Sequence, residues 1–208
     1  MANYEIIKKQ LADAYNNQAD NRNESSIQTW KVFERQDFLN RLLHNGKTNV
    51  LELGAGPGKD SKFFQDSGLD VLAIDLSPEM VQKCKEKGLK AEVMSFDELS
   101  FEENTFSGVW ALNTLLHVPK DNITAVLNDI KRVLEPEGLF YFGVYGGIDH
   151  EGVWEKDFHS PKRFFSFYQD EEIERILSEH FKIDAFHKIP IKHEDGGPTH
   201  FQGFILKK

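Results

Sequence analysis

Between Asn49 and Tyr145, short apolar runs take turns with stretches whose apolar residues recur every three or four positions. "NVLEL", "DVLAID", "LKAEVM", "TFSGVWAL" and "GLFYFGVY" are rich in β-branched and aromatic residues and bounded by turn formers, so they predict strands. "KDSKFFQDSG", the stretch opening at "SPEM" and "NITAVLNDIKRVL" predict the helices between them, and Ser77 before Pro78 gives the second an N-cap followed by proline. Such alternation argues for a parallel sheet with crossover helices. Upstream, the pattern predicts helices over 3–19 and 27–44, the second carrying Val32, Leu39, Leu42 and Leu43 on one face, widened by Trp30 and Phe38. Downstream, "DEEIERILSEH" predicts a helix. "FKIDAFHKI" and "THFQGFILKK", separated by the turn-rich "KHEDGGP", predict an antiparallel strand pair at one sheet edge.

No internal repeat and no composition shift breaks the chain, so one domain over 1–208 is expected. Its parts are a helical cap over 1–48, a core over 49–144, a lid or acceptor segment over 145–168, and a helix with a strand pair over 169–208.

Composition narrows the function classes. With 208 residues, 39% of them hydrophobic, the chain is long enough to bury a substantial core. The single cysteine, Cys84, excludes a disulfide framework within the chain and a cysteine-based zinc site, which fits a reducing, cytoplasmic setting. "MANYEIIKKQ" lacks the apolar stretch of a signal peptide, and no apolar run has the roughly 18 residues of a membrane span. A net charge of −9 disfavours nucleic acid as a partner. His187, His193 and His200 match no metal-ligand spacing, so no metal is expected. Oligomeric state is not legible.

"VLELGAGPGKD" carries the candidate chemistry. Gly54, Gly56 and Gly58 follow a buried strand and lead into a helix, the arrangement that brings backbone close to a ligand at the switch point of an open sheet. Roughly 20 residues beyond the glycines, Asp75 ends the next strand, where a carboxylate accepts hydrogen bonds from ribose hydroxyls. Ribose recognition leaves two cofactor classes open. A dinucleotide loop of the G-x-G-x-x-G type would have its third glycine where this chain has Lys59, and Glu52 sits just before the loop, ill placed beside a pyrophosphate but suited to a ligand bearing an ammonium and a sulfonium.

"VLELGAGPG", "VLAIDLSPEMV", "FEENTFSGVWALNTLLHV" and "IKRVLEPEGLFYFGVY" together resemble the successive motifs of class I S-adenosylmethionine-dependent methyltransferases, in order and at the expected intervals, over about Asn49 to Tyr145. The resemblance implies a Rossmann-like, doubly wound α/β fold: a seven-stranded, mostly parallel sheet with an antiparallel last strand, here with N-terminal helices added. It implies S-adenosyl-L-methionine as donor. Gly54, Ala55 and Gly56 would contact its methionine portion, Asp75 the ribose and Leu76 the adenine, with Ser95 and Phe96 near the adenine amino group and ring. Ala111 and Asn113 would line the pocket by the sulfonium. Tyr15 resembles a tyrosine that closes over the cofactor, and Arg22 would meet the cofactor carboxylate.

The acceptor is a separate matter. The Asp/Asn-Pro-Pro-aromatic motif of exocyclic-amine methyltransferases is missing after the fourth predicted strand, where the chain reads "ALNTLLHV", which points to a small-molecule acceptor. Tyr145 to Tyr168 is long for a connection and dense in aromatic and titratable groups, as an acceptor pocket requires. Tyr145, Asp149, Trp154, Arg163 and Phe164 are the candidates there, with Arg163 suited to an anionic planar acceptor and His150 as the candidate base. His117 reads as a structural histidine. Three other readings stay open: a cofactor-binding regulatory module without catalysis, a nucleic-acid methyltransferase and an NAD-dependent oxidoreductase.

Overall fold

A computed structural model describes residues 2–191 and 197–208. The predicted alternation folds as β1 (Asn49–Leu53), α4 (Lys59–Asp66), β2 (Asp70–Asp75), α5 (Pro78–Glu86), β3 (Lys90–Val93), β4 (Phe106–Leu112), α6 (Ile123–Val133) and β5 (Leu134–Gly146). α1 (Ala2–Asn16), α2 (Ala19–Glu24) and α3 (Thr29–His44) precede them. The chain continues through the hairpin β6 (His150–Val153) and β7 (Phe164–Phe167), then α7 (Asp170–Ser178), β8 (Lys182–Pro190) and β9 (His200–Lys207).

One sheet takes the order β3-β2-β1-β4-β5-β9-β8, parallel from β3 through β5, with β9 antiparallel to both of its neighbours. β9, which follows β8 in the chain, therefore lies inside the sheet, and β8 holds the edge. The order reverses between β1 and β4, so their carboxyl ends diverge into a crevice where the glycine loop stands.

Both faces of the sheet are covered, which explains why its central strands are apolar throughout. Leu51, Val109, Phe140 and Leu206 pack beneath α6, whose Ile123, Val126, Leu127 and Ile130 recur on one face. Their strand neighbours Val50, Trp110, Tyr141 and Ile205 point to the other side, against Phe38 and Leu42 of α3 and Phe64 of α4. Trp110 stacks on its cross-strand partner Tyr141 at 4.0 Å, and the Tyr141 hydroxyl donates to the buried Glu34 carboxylate at 2.8 Å. His187 lies 3.0 Å from the same carboxylate, which satisfies a charge α3 would otherwise leave alone in the core.

The N-terminal helices differ from the pattern. The helix predicted over 3–19 ends at Asn16, and a separate short α2 follows. Asparagine and glutamine at 16–18 compete for backbone with their own side chains, and here those side chains are engaged elsewhere. Asn16 accepts from the Ser77 hydroxyl at 2.6 Å, and Asn17 donates to the Ser160 carbonyl at 2.8 Å. The break turns α2 so that the Arg22 guanidinium lies over the Tyr15 ring at 5.2 Å. The expected lid likewise has unpredicted structure: β6 and β7 pair antiparallel and bring residues 150–153 beside 164–167.

Ser77 caps α5 as expected, accepting from the Met80 amide at 3.1 Å. Replacing Ser77 by Ala should cost about 1 kcal/mol, and for a chain of this size about 2–4 °C in Tm, measurable by calorimetry.

Candidate functional site

The glycine loop closes because Gly54 and Gly56 hold φ of +62° and +55°, backbone that side-chain-bearing residues rarely adopt. A Cβ at Gly54 would stand 2.0 Å from Thr114 Oγ1, whereas at Gly56 it would meet nothing within 4 Å. The first glycine thus serves close packing against the β4 loop, and the second leaves open space above the backbone for a ligand.

Asp75 ties that loop to the next strand. Its Oδ2 accepts from the Gly56 amide and its Oδ1 from the Ser77 amide, both at 2.8 Å. Burial pushes the carboxyl up, and the two amides and the Arg22 charge oppose that rise. A carboxylate offers about four lone-pair sites, so acceptor capacity remains on each oxygen for a pair of hydroxyls.

A narrow cleft forms around this carboxylate. Of the residues the sequence proposed, Tyr15, Arg22, Gly54, Gly56, Asp75, Leu76, Phe96 and Asn113 line it. Glu52 and Ala55 line a second, wider cavity of about 360 Å³ on the far side of the glycine loop. Arg22, Gly54, Gly56 and Leu112 border both, so the two form one split site. Ser95 and Ala111 border neither: the Ser95 hydroxyl is turned to Asp97, and Ala111 is buried inside β4, with Leu112 and Asn113 reaching the cleft in its place.

The wider cavity is polar. Glu52 accepts from the Ser61 hydroxyl, and burial together with nearby Asp60 holds its carboxyl well above the usual range. Lys31, which sequence reading missed, lines the same cavity and is pushed down to about 8 by burial. An acidic and a basic group thus line the same cavity.

Asn113 marks the other end. It takes φ +58°, its amide donates to the Gly143 carbonyl at 2.7 Å, and its side chain is hydrogen-bonded to the Tyr145 hydroxyl. Its Oδ1 is buried without a partner. An unpartnered acceptor on the cleft wall, open space over Gly56 and spare capacity on Asp75 fit a ligand with ribose hydroxyls and a charged amino-acid tail.

His117 is the residue that sequence reading placed elsewhere. It lines the cleft, buried, with Nδ1 2.7 Å from the Phe164 carbonyl and Nε2 2.6 Å from the Tyr15 hydroxyl. A carbonyl only accepts, so Nδ1 carries the proton, and Tyr15 donates to Nε2. Arg163 Nη1 donates to the Tyr15 oxygen at 3.0 Å. Burial, with the Arg163 charge second, pulls the imidazole down to about 3, so it is neutral at pH 7. Its position just beyond β4, at the sheet's carboxyl edge, was the available signal.

Tyr145, Trp154 and Arg163 line a third cavity, also about 360 Å³, between the hairpin and β5. The other acceptor candidates are not on its wall. Phe164 contributes its carbonyl to His117, and exposed Asp149 is paired with Lys120 at 2.5 Å. His150 packs between Trp154 at 4.9 Å and Phe167 at 5.7 Å, away from all three cavities, so the geometry does not support it as a base. Among the expected histidines, His187 serves Glu34, His200 lies 2.6 Å from Asp170, and His193 falls outside the described residues.

A family model described as a methyltransferase domain matches residues 50–138. Residues 50–138 are thus similar to a methyltransferase domain. The ubiquinone biosynthesis O-methyltransferase of Xanthomonas oryzae pv. oryzae is 32% identical over 114 residues, 51% of this chain and 47% of that one. The sarcosine/dimethylglycine N-methyltransferase of Aphanothece halophytica is 32% identical over 104 residues, 46% of this chain and 37% of that one. This chain thus spans about half or less of these relatives. The 1,6-didemethyltoxoflavin-N1-methyltransferase of Burkholderia thailandensis, solved with 1,6-didemethyltoxoflavin and S-adenosylhomocysteine, superposes with a TM-score of 0.73 at 20% identity, covering 98% of this chain and 88% of that one. That likeness extends the methyltransferase fold to the cap helices and the C-terminal strands, as the sequence implied.

The depressed His117 makes a pH prediction. The unfolded chain, with its histidine near 6.5, binds a proton that the folded chain refuses until about 3. Stability from this group is therefore complete above 6.5 and declines as pH falls toward 3. Glu52 and Asp75, raised in the fold, act in the opposite sense, so the comparison must isolate the histidine. Tm should fall more steeply from pH 7 to about pH 4 in the parent than in His117→Gln; parallel curves would refute the assignment.

Proposed function

We propose that the chain is an S-adenosyl-L-methionine-dependent methyltransferase acting on a small-molecule acceptor, in a reducing, cytoplasmic setting. The split cleft centred on Asp75 carries the reading. Asp75 receives the ribose hydroxyls, Leu76 and Phe96 flank the adenine, and the Gly54 to Gly56 backbone approaches the sulfur-bearing portion. Glu52, Lys31 and Arg22 attend the charged amino-acid tail in the wider cavity.

When bound, the donor supplies a methyl carbon that accepts a lone pair as its bond to sulfur breaks, leaving S-adenosylhomocysteine. The residues of this chain contribute alignment and exclusion of water. Effects of that kind are worth about 7–11 kcal/mol in well-oriented systems, and no covalent intermediate is required. Tyr15, fixed by His117 and Arg163, closes the cleft from α1. His117 is too weakly basic to accept a proton from the acceptor at pH 7.

Lys59 in place of a third loop glycine and buried Glu52 beside the loop oppose a dinucleotide. Among the described residues no helix is long and apolar enough to cross a membrane.

Calorimetric titration should show micromolar binding of S-adenosylmethionine and S-adenosylhomocysteine and none of NAD; binding of NAD alone would reverse the assignment. Asp75→Ala should lose about 1–3 kcal/mol of affinity for S-adenosylhomocysteine, roughly 5- to 150-fold, because two hydroxyls lose a charged partner. Unchanged affinity would sink the ribose role.

A further inference from the structure

We propose that the third cavity receives an uncharged, planar aromatic acceptor, held by stacking and not by ion pairing. The proposal rests on the donor reading in one respect: the methyl is delivered at the Asn113 end of the cleft.

Three contacts join the cavity to that end. Tyr145 is hydrogen-bonded to Asn113, Arg163 donates to Tyr15, and the Phe165 ring lies 4.8 Å from the His117 ring. Each pair has one member on the cavity and one on the cleft, so they form a common wall. Trp154, Phe158 and Phe167 add three more rings to the lining, beside charged Lys156 and Asp157. Phe167 meets Trp154 edge to face at 5.6 Å and Phe165 at 5.4 Å, tilted by 31°. A flat ligand there buries apolar area and gains ring contacts that an aliphatic one cannot.

Charge decides against an anion, although Arg163 beside aromatic residues suggested one. Its Nε and Nη2 donate to Asp157 at 2.9 and 2.8 Å, its Nη1 donates to Tyr15, and its Cζ lies 5.0 Å from the centre of the Phe165 ring. The guanidinium is therefore already neutralised in a bidentate pair, and the Asp157 side chain, 3% exposed, would confront an incoming carboxylate. Lys156, the other cation on the wall among the described residues, is exposed, where solvent screens its attraction. A small zwitterion finds neither stacking area nor an unpaired buried counter-charge. A phenolic hydroxyl or ring N–H on a flat ring gains the stacking area and needs no counter-charge: its lone pair forms the new bond to the methyl carbon, the carbon–sulfur pair returns to sulfur, and its proton leaves to water.

The test uses 2-naphthol, 3-hydroxy-2-naphthoate and sarcosine as probes, with saturation-transfer NMR on the chain both alone and loaded with S-adenosylhomocysteine. We expect 2-naphthol to bind at least tenfold more tightly than the naphthoate and sarcosine to give no transfer. Trp154→Ala should weaken 2-naphthol at least tenfold while S-adenosylhomocysteine affinity stays within twofold, which also shows that the variant folds. Trp154→Phe should restore most of the binding. Tighter binding of the naphthoate, or 2-naphthol binding indifferent to Trp154→Ala, would overturn the proposal. Should S-adenosylhomocysteine itself fail to bind the parent chain, the donor reading falls, and the titrations without it still judge the cavity.

Discussion

Everything at the crevice depends on one buried carboxylate. Asp75 ends β2, yet it holds the amide of Gly56 from the loop after β1 and the amide of Ser77 at the start of α5. Two strand ends and a helix start are fixed by a group that burial would otherwise make costly to charge. The backbone amides that relieve that cost also hold the glycine loop in its left-handed turns. Binding capacity and loop shape therefore share one origin, and a ligand meets a site that is already ordered.

The second constraint is longer in range. Tyr15 belongs to the first helix, His117 to the segment after β4 and Arg163 to the hairpin, and hydrogen bonds of 2.6 and 3.0 Å join them. Asp157 in turn fixes Arg163. Elements from three parts of the chain thus share one polar cluster, with the Tyr15 hydroxyl at its centre, and that cluster stands between the cleft at Asp75 and the third cavity.

Much of this was legible in the sequence, for local reasons. The loop glycines, Asp75 and the Ser77 cap follow from backbone requirements set within a few residues, and the parallel strands with their crossover helices follow from the alternating apolar runs. The break after Asn16 was not legible, because Asn16 and Asn17 leave the helix to serve Ser77 and Ser160, partners far along the chain. The contrast between the histidines has the same cause. His150 sits in the segment that looked functional but is enclosed by Trp154 and Phe167, while His117 gains its place from Tyr15 and Phe164. Pattern assigns an element; it does not say which side chains meet across a hundred residues. The same applies to Arg163, whose charge looked available until Asp157 was seen beside it.

The place of β9 bears on how the protein is made. It pairs with β5 on one side and β8 on the other, so an interior strand is supplied by residues 200–207. During synthesis the long, apolar β5 has an open edge until those residues leave the ribosome, and β8 has nothing to pair with. An open edge of that kind is a template for unwanted pairing with other chains. The nascent polypeptide therefore carries this hazard of self-association from the emergence of β5 until β9 follows and closes the gap between β5 and β8.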